Sequence, residues 1–137
     1  MTMQRPDTII YNDEQRIIYS QPLKPYFESL EQKPVFLSMV TSMTSRGYYA
    51  GWLLKNNQLY LIDFLGLQLT SNWTELEYNL TDLFPKEAAP IFAHWFSGQI
   101  IIPLGKNIST SMYSRYERHL ILYLDKGMFI NEEEVSA

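Results

Sequence analysis

A chain of 137 residues has the length of one domain, and its apolar fraction of 46% supplies a core without disulfides or metal. The formal charge is −4, with 15 acidic against 11 basic residues and no cluster of four Lys or Arg, which argues against nucleic acid and against an anionic membrane surface. Cysteine is absent, so disulfides and thiolate metal sites are excluded, and no apolar stretch reaches the ~18 residues of a membrane-spanning helix.

Period-two patterning dominates the chain. Thr8–Ser20 reads as two short strands around Asn12-Asp13, both strong turn formers. Pro25 can open a short helix reaching about Gln32, because its fixed φ suits a first turn and Pro34 would end it. The β-branched, apolar run from Val35 to Met43 predicts a strand.

Residues 45–64, SRGYYAGWLLKNNQLYLIDF, predict a hairpin with a two-residue turn at Asn56-Asn57, since asparagine tolerates positive φ. That register sets Leu54 against Leu59, Trp52 against Leu61 and Ala50 against Asp63. The other face carries Leu53 with Tyr60, Gly51 with Ile62 and Tyr49 with Phe64. Both faces are apolar, so the hairpin is expected in a sheet covered on both sides. Asp63 then has two readings. Either it lies beside Trp52 and needs a partner such as Arg46 or Arg118, or it ends the strand before a turn at Gly66; the second is simpler.

Asn72 with Glu75 three residues on predicts a capped helix from Trp73 to Leu83. Strand character resumes at Ile91, with a kink at Gly98 and a stop at Pro103. A polar loop leads into RHLILYLDKGMFI, a second hairpin turning at Asp125-Lys126-Gly127, and the acidic tail from 131 to 137 is expected to fray. The whole predicts a single mainly β domain over 1–137: an antiparallel sandwich, or a curved, partly closed sheet, with one or two short helices.

Tests for chemistry return little. Two isolated histidines, His94 and His119, make no metal motif, and no carboxylates stand at calcium-loop spacing, so no metal or cofactor is expected. The run from Gly98 to Asn107 fails as a phosphate loop because six residues, not four, separate its glycines. Ser97, His94 and Asp63 could be drawn as a triad, but nothing around Ser97 resembles a nucleophile elbow.

The segment STSMYSRYERH, from Ser109 to His119, has the composition of protein-binding loops, and Tyr113, Arg115, Tyr116 and Arg118 are the residue types that carry binding energy. The alternative is a solvated loop with its tyrosines folded onto the core. These stretches, RGYYAGWLLKNNQLYLIDF, WFSGQIIIPLGK and YERHLILYLDKGMFI, resemble a loose group of short bacterial proteins of unknown function. The resemblance spans residues 46 to 130, brings no activity, and implies a partner role in a larger system. The leading expectation is a non-enzymatic cytoplasmic protein that binds another protein through the 113–118 segment, since Met1–Ile10 lacks the apolar run of a signal peptide. The alternative is a small-molecule binder or enzyme with a pocket between the sheet and residues 73–95, lined by Asp63, Trp95 and His119.

Overall fold

The computed structural model describes residues 6–31, 48–69, 74–107 and 116–136. Among these residues nine strands form one sheet: β1 (Thr8–Tyr11), β2 (Glu14–Ile17), β3 (Tyr48–Lys55), β4 (Gln58–Leu69), β5 (Glu75–Tyr78), β6 (Ile91–Phe92), β7 (Gly98–Asn107), β8 (Tyr116–Asp125) and β9 (Met128–Ser136). The described residues also form two short helices, α1 (Lys24–Ser29) and α2 (Leu80–Leu83). Among the described residues no helix is long and apolar enough to cross a membrane. The predicted strand over Val35–Met43 lies outside the described residues.

Three hairpins set the local geometry, and each turns through two residues of positive φ. Asn12 and Asp13 have φ of 53° and 63°, Asn56 and Asn57 of 54° and 62°, and Lys126 and Gly127 of 49° and 81°. This is the type I′ turn, whose twist matches that of the flanking strands. All three turns fall where the sequence places them.

The strands run in the order β2-β1-β3-β4-β9-β8-β7, with β5 and β6 added to β4. Every described pair is antiparallel except β1 with β3, which run parallel with Ile9 opposite Trp52. The sheet curves enough for the segment after β2 to reach β7. Tyr19 N donates to Ile101 O at 2.9 Å, and Ile101 N donates to Ser20 Oγ at 3.0 Å. It is the curved single sheet, not the sandwich, and it is not closed.

One face of β3 is buried and the other is half-exposed, where the sequence suggested cover on both sides. The buried face carries Tyr48, Ala50, Trp52 and Leu54, meeting Leu59, Leu61 and Phe64 of β4. A bulge between Gly51 and Trp52 resets the predicted register. Trp52 opposes Leu61, but Gly51 opposes Asp63, so Ile62 is the extra residue. The shift turns Phe64 into the core and Asp63 out to solvent, so the carboxylate needs no buried partner. Gly51 suits this crossing: a Cβ there would stand 3.1 Å from the Asp63 Cβ.

The helices cap the core. Pro25 lies in the first turn of α1, as its φ allows, and Phe27 packs edge-on against Tyr48 at 5.1 Å between centroids. The predicted helix from Trp73 is a misplacement by one motif. Glu75–Tyr78 is strand, and the capping box belongs to Asn79 and Asp82, whose side chains each accept the other's backbone N–H, at 3.1 and 2.8 Å. Pro103 does not stop β7, which continues to Asn107. β7 ends the strand path, and a terminal strand tolerates a residue without N–H on its open side. The tail does not fray at 131; it is strand to Ser136.

Candidate interaction surface

Past the one pair that joins β9 to β4, β8 and β9 run on together as an overhang. β9 meets β4 at one pair, Gln58 with Met128, and Phe129 N donates to Asn57 O at 2.8 Å. From Ile130 onward, among the described residues, β9 pairs with β8 alone, out to Arg118 opposite Ser136. β7 accompanies β8 in the same direction as far as Asn107 opposite Tyr116. Burial falls away along this overhang. Leu122 and Leu124 are in the core, Leu120 and His119 are half-buried, and Glu117 and Arg118 are exposed. Eight of the nine residues of β9 are exposed.

A second bulge breaks the β8–β9 ladder. Leu124 opposes Phe129 while Tyr123 opposes Asn131, leaving Ile130 unpaired and 63% exposed. Three glutamates follow. Glu132 accepts from Tyr11 Oη at 2.5 Å, Glu133 from Tyr123 Oη at 2.7 Å, and Glu134 from Arg118 Nη1 at 2.6 Å. Arg118 and Glu134 are each about half-exposed, so their ion pair stabilises by no more than ~1 kcal/mol. The Tyr11 hydroxyl is pushed up to about 12 by burial, then by its hydrogen bond to the Glu132 carboxylate and that group's charge. Tyr123 is raised as well, chiefly by its hydrogen bond to Glu133.

The sequence candidates fall in several places. Tyr113 and Arg115 lie outside the described residues. Tyr116 opens β8, and Arg118 follows on the same strand. Arg118 pairs with Ser136 of β9, and Tyr116 with Asn107 of β7. The three pocket candidates stand apart, and no described contact joins them. Asp63 is exposed, with its Oδ1 accepting from Phe64 N at 2.9 Å. His119 packs against the Tyr19 ring at 6.2 Å. Trp95 stacks on Phe84 at 5.8 Å, contacts Tyr26 and Trp52, and donates from Nε1 to Pro22 O at 2.9 Å. Its ring is packing material between the helices and the sheet. Ser97 serves the β8–β9 turn, its Oγ accepting from Lys126 N at 2.8 Å and donating to Asp125 Oδ1 at 3.4 Å. Among the described residues no three metal-ligating side chains gather.

Two further surfaces were not singled out in the sequence. The outer face carries a half-buried apolar row across neighbouring strands: Ile10 beside Leu53, Leu53 opposite Tyr60, Tyr60 opposite Phe92. Beside it, an open groove of about 370 Å³ lies between the two asparagine turns, lined by Ile10, Asn12, Asp13, Leu53, Lys55 and Asn56 among others. The long β9 edge was legible in part. A two-residue turn at Lys126-Gly127 forces the second strand to mirror the first, and eight residues of β8 from Arg118 to Asp125 demand a partner running into the acidic tail. Comparison with protein-family models, with curated proteins and with solved structures gives no match.

Proposed function

We propose that this chain is a non-enzymatic protein-interaction module that holds its partner at the overhang of β7, β8 and β9, with Tyr113, Arg115, Tyr116 and Arg118 as its contact residues. The observation that supports the reading most directly is β9 itself, which remains strand to Ser136 although eight of its nine residues are exposed. Burial does not account for such a strand; in a binding module it is a prepared contact surface. The alternating composition of the 109–119 segment suits adaptable contact, with tyrosine and arginine as anchors. Catalysis is the weaker reading, because Asp63, Trp95 and His119 do not converge on a common cavity.

The test is capture of partners by the tagged full chain, with mass spectrometry, alongside the double variant Tyr113→Ala/Arg115→Ala. The expected result is a specific partner that the double variant loses while its melting temperature stays within about 2 °C of the parent, the range of a surface change. A melting temperature lowered by more than about 5 °C would assign the two residues to the core and remove them from the contact.

A further inference from the structure

We infer that the partner supplies an extended, basic segment that adds as a strand to the open edge of β9, between Ile130 and Ser136; this rests on the interaction reading above. An edge strand presents unpaired backbone N–H and C=O groups, and a second chain can complete the ladder there. β9 has such an edge. Past Phe129 its backbone pairs with β8 and, among the described residues, with no strand on its other side.

Charge selects the occupant. Glu132 and Glu134 lie opposite Leu122 and Leu120 on one face, and Glu133 lies opposite Ile121 on the other. Of the three, Glu134 alone is met by a cation among the described residues. Glu132 and Glu133 are held by neutral tyrosine hydroxyls, which orient the carboxylates without cancelling them. A second copy of this chain is disfavoured on the same ground, since antiparallel pairing of two β9 edges would set glutamates against glutamates. Lys or Arg at alternate positions of an incoming strand would face Glu132 and Glu134. Exposed Ile130 and Val135 flank the carboxylates and offer apolar contact at each end.

The inference is tested with a displayed library of random peptides of about nine residues, the length of β9, selected on the full chain at low ionic strength. Selected peptides are measured by fluorescence anisotropy and mapped by backbone amide shifts. The expected binders carry Lys or Arg at two or more alternate positions and shift the amides of residues 130–136. Affinity should fall by about tenfold or more in Glu132→Gln/Glu133→Gln/Glu134→Gln and with added salt. Glutamine keeps an acceptor for Tyr11, Tyr123 and Arg118, so the variant preserves those contacts. Methylating alternate backbone nitrogens of the peptide, which leaves the protein untouched, should abolish binding.

Neutral or acidic binders, indifference to the glutamine variant, or amide shifts centred on Ile10, Leu53, Tyr60 and Phe92 would overturn the strand-addition model. An empty selection would overturn it too and leave the glutamates the task of keeping the edge from self-pairing. A captured cellular partner that is lost with Tyr113→Ala/Arg115→Ala but retained by the glutamine variant would defeat this inference and leave the interaction reading standing.

Discussion

Asp7 is the one charged side chain buried among the described residues, at 1% exposure, and it organises the first contact between the N-terminal hairpin and the core. Its Oδ1 accepts from Ala50 N at 2.9 Å and its Oδ2 from Trp52 Nε1 at 3.1 Å. Its own carbonyl accepts from Ile18 N at 2.9 Å. Trp52 is fully buried, so its indole N–H has no water to turn to. Asp7→Ala should therefore cost about 3 kcal/mol, from two buried donors left unpaired, read as a lower urea midpoint at constant slope. A loss below about 1 kcal/mol would mean that water reaches the site. Tyr11 gives a second outcome at this scale. Its pKa is raised above that of the unfolded chain, so the contribution of the neutral hydroxyl is complete below pH 10 and is lost as pH rises toward about 12. The stability difference between the parent and Tyr11→Phe should accordingly shrink across that alkaline range; a difference that holds constant would detach Tyr11 from the Glu132 carboxylate. Of the two readings of Asp63, the one that sets it beside Trp52 is excluded by the bulge. The simpler one errs only in ending the strand, since β4 runs on to Leu69; the buried aspartate is Asp7. Alternation alone carries Asp63 to the Trp52 face, and the bulge at Ile62 that reverses it leaves no signature beyond the small Gly51 across the ladder.

Elements were most legible where one dipeptide dictates the backbone. Asn12-Asp13, Asn56-Asn57 and Lys126-Gly127 each require positive φ twice, and only a few residue types accept it cheaply. Lys126 is the exception, a long side chain at φ 49°. Lys126→Asn should raise stability by about 0.5–1 kcal/mol, checked by chemical denaturation, because asparagine tolerates that conformation better. Gly127→Ala should do the reverse and cost more than about 2 kcal/mol. Its φ is 81°, and the added Cβ would come within 2.6 Å of the Ala93 carbonyl oxygen, a backbone atom that cannot step aside. The predicted helix from Trp73 failed for an instructive reason. Asn72 to Glu75 and Asn79 to Asp82 both have the spacing of a capping box, and the choice between them is made by β4, whose Gly66–Leu69 end recruits Glu75–Tyr78 as a strand. Local spacing cannot weigh that tertiary competition.

The whole molecule divides into a curved sheet that encloses the core and an overhang that does not. The parallel pairing of β1 with β3 was illegible because it depends on how the chain returns after α1, which no local pattern records. The division predicts what shortening the chain should do. Ending it at Ile130 removes strand residues that are all exposed, the Arg118–Glu134 surface pair and the hydrogen bonds of Tyr11 and Tyr123. Exposed ladder bonds replace bonds to water at a net gain of ~1 kcal/mol each. Fixing the backbone of each residue costs about as much, so the two terms nearly cancel. The shortened chain should therefore unfold cooperatively and lie within about 2 kcal/mol of the parent, far from the 3–5 kcal/mol expected for Trp52→Ala in the core. Hydrogen exchange should agree from the other direction, with the amides of 131–136 the least protected of the sheet and those of β3 the most. If the truncation instead melted the domain, β9 would belong to the folding core, and its exposed length would need no binding partner to explain it.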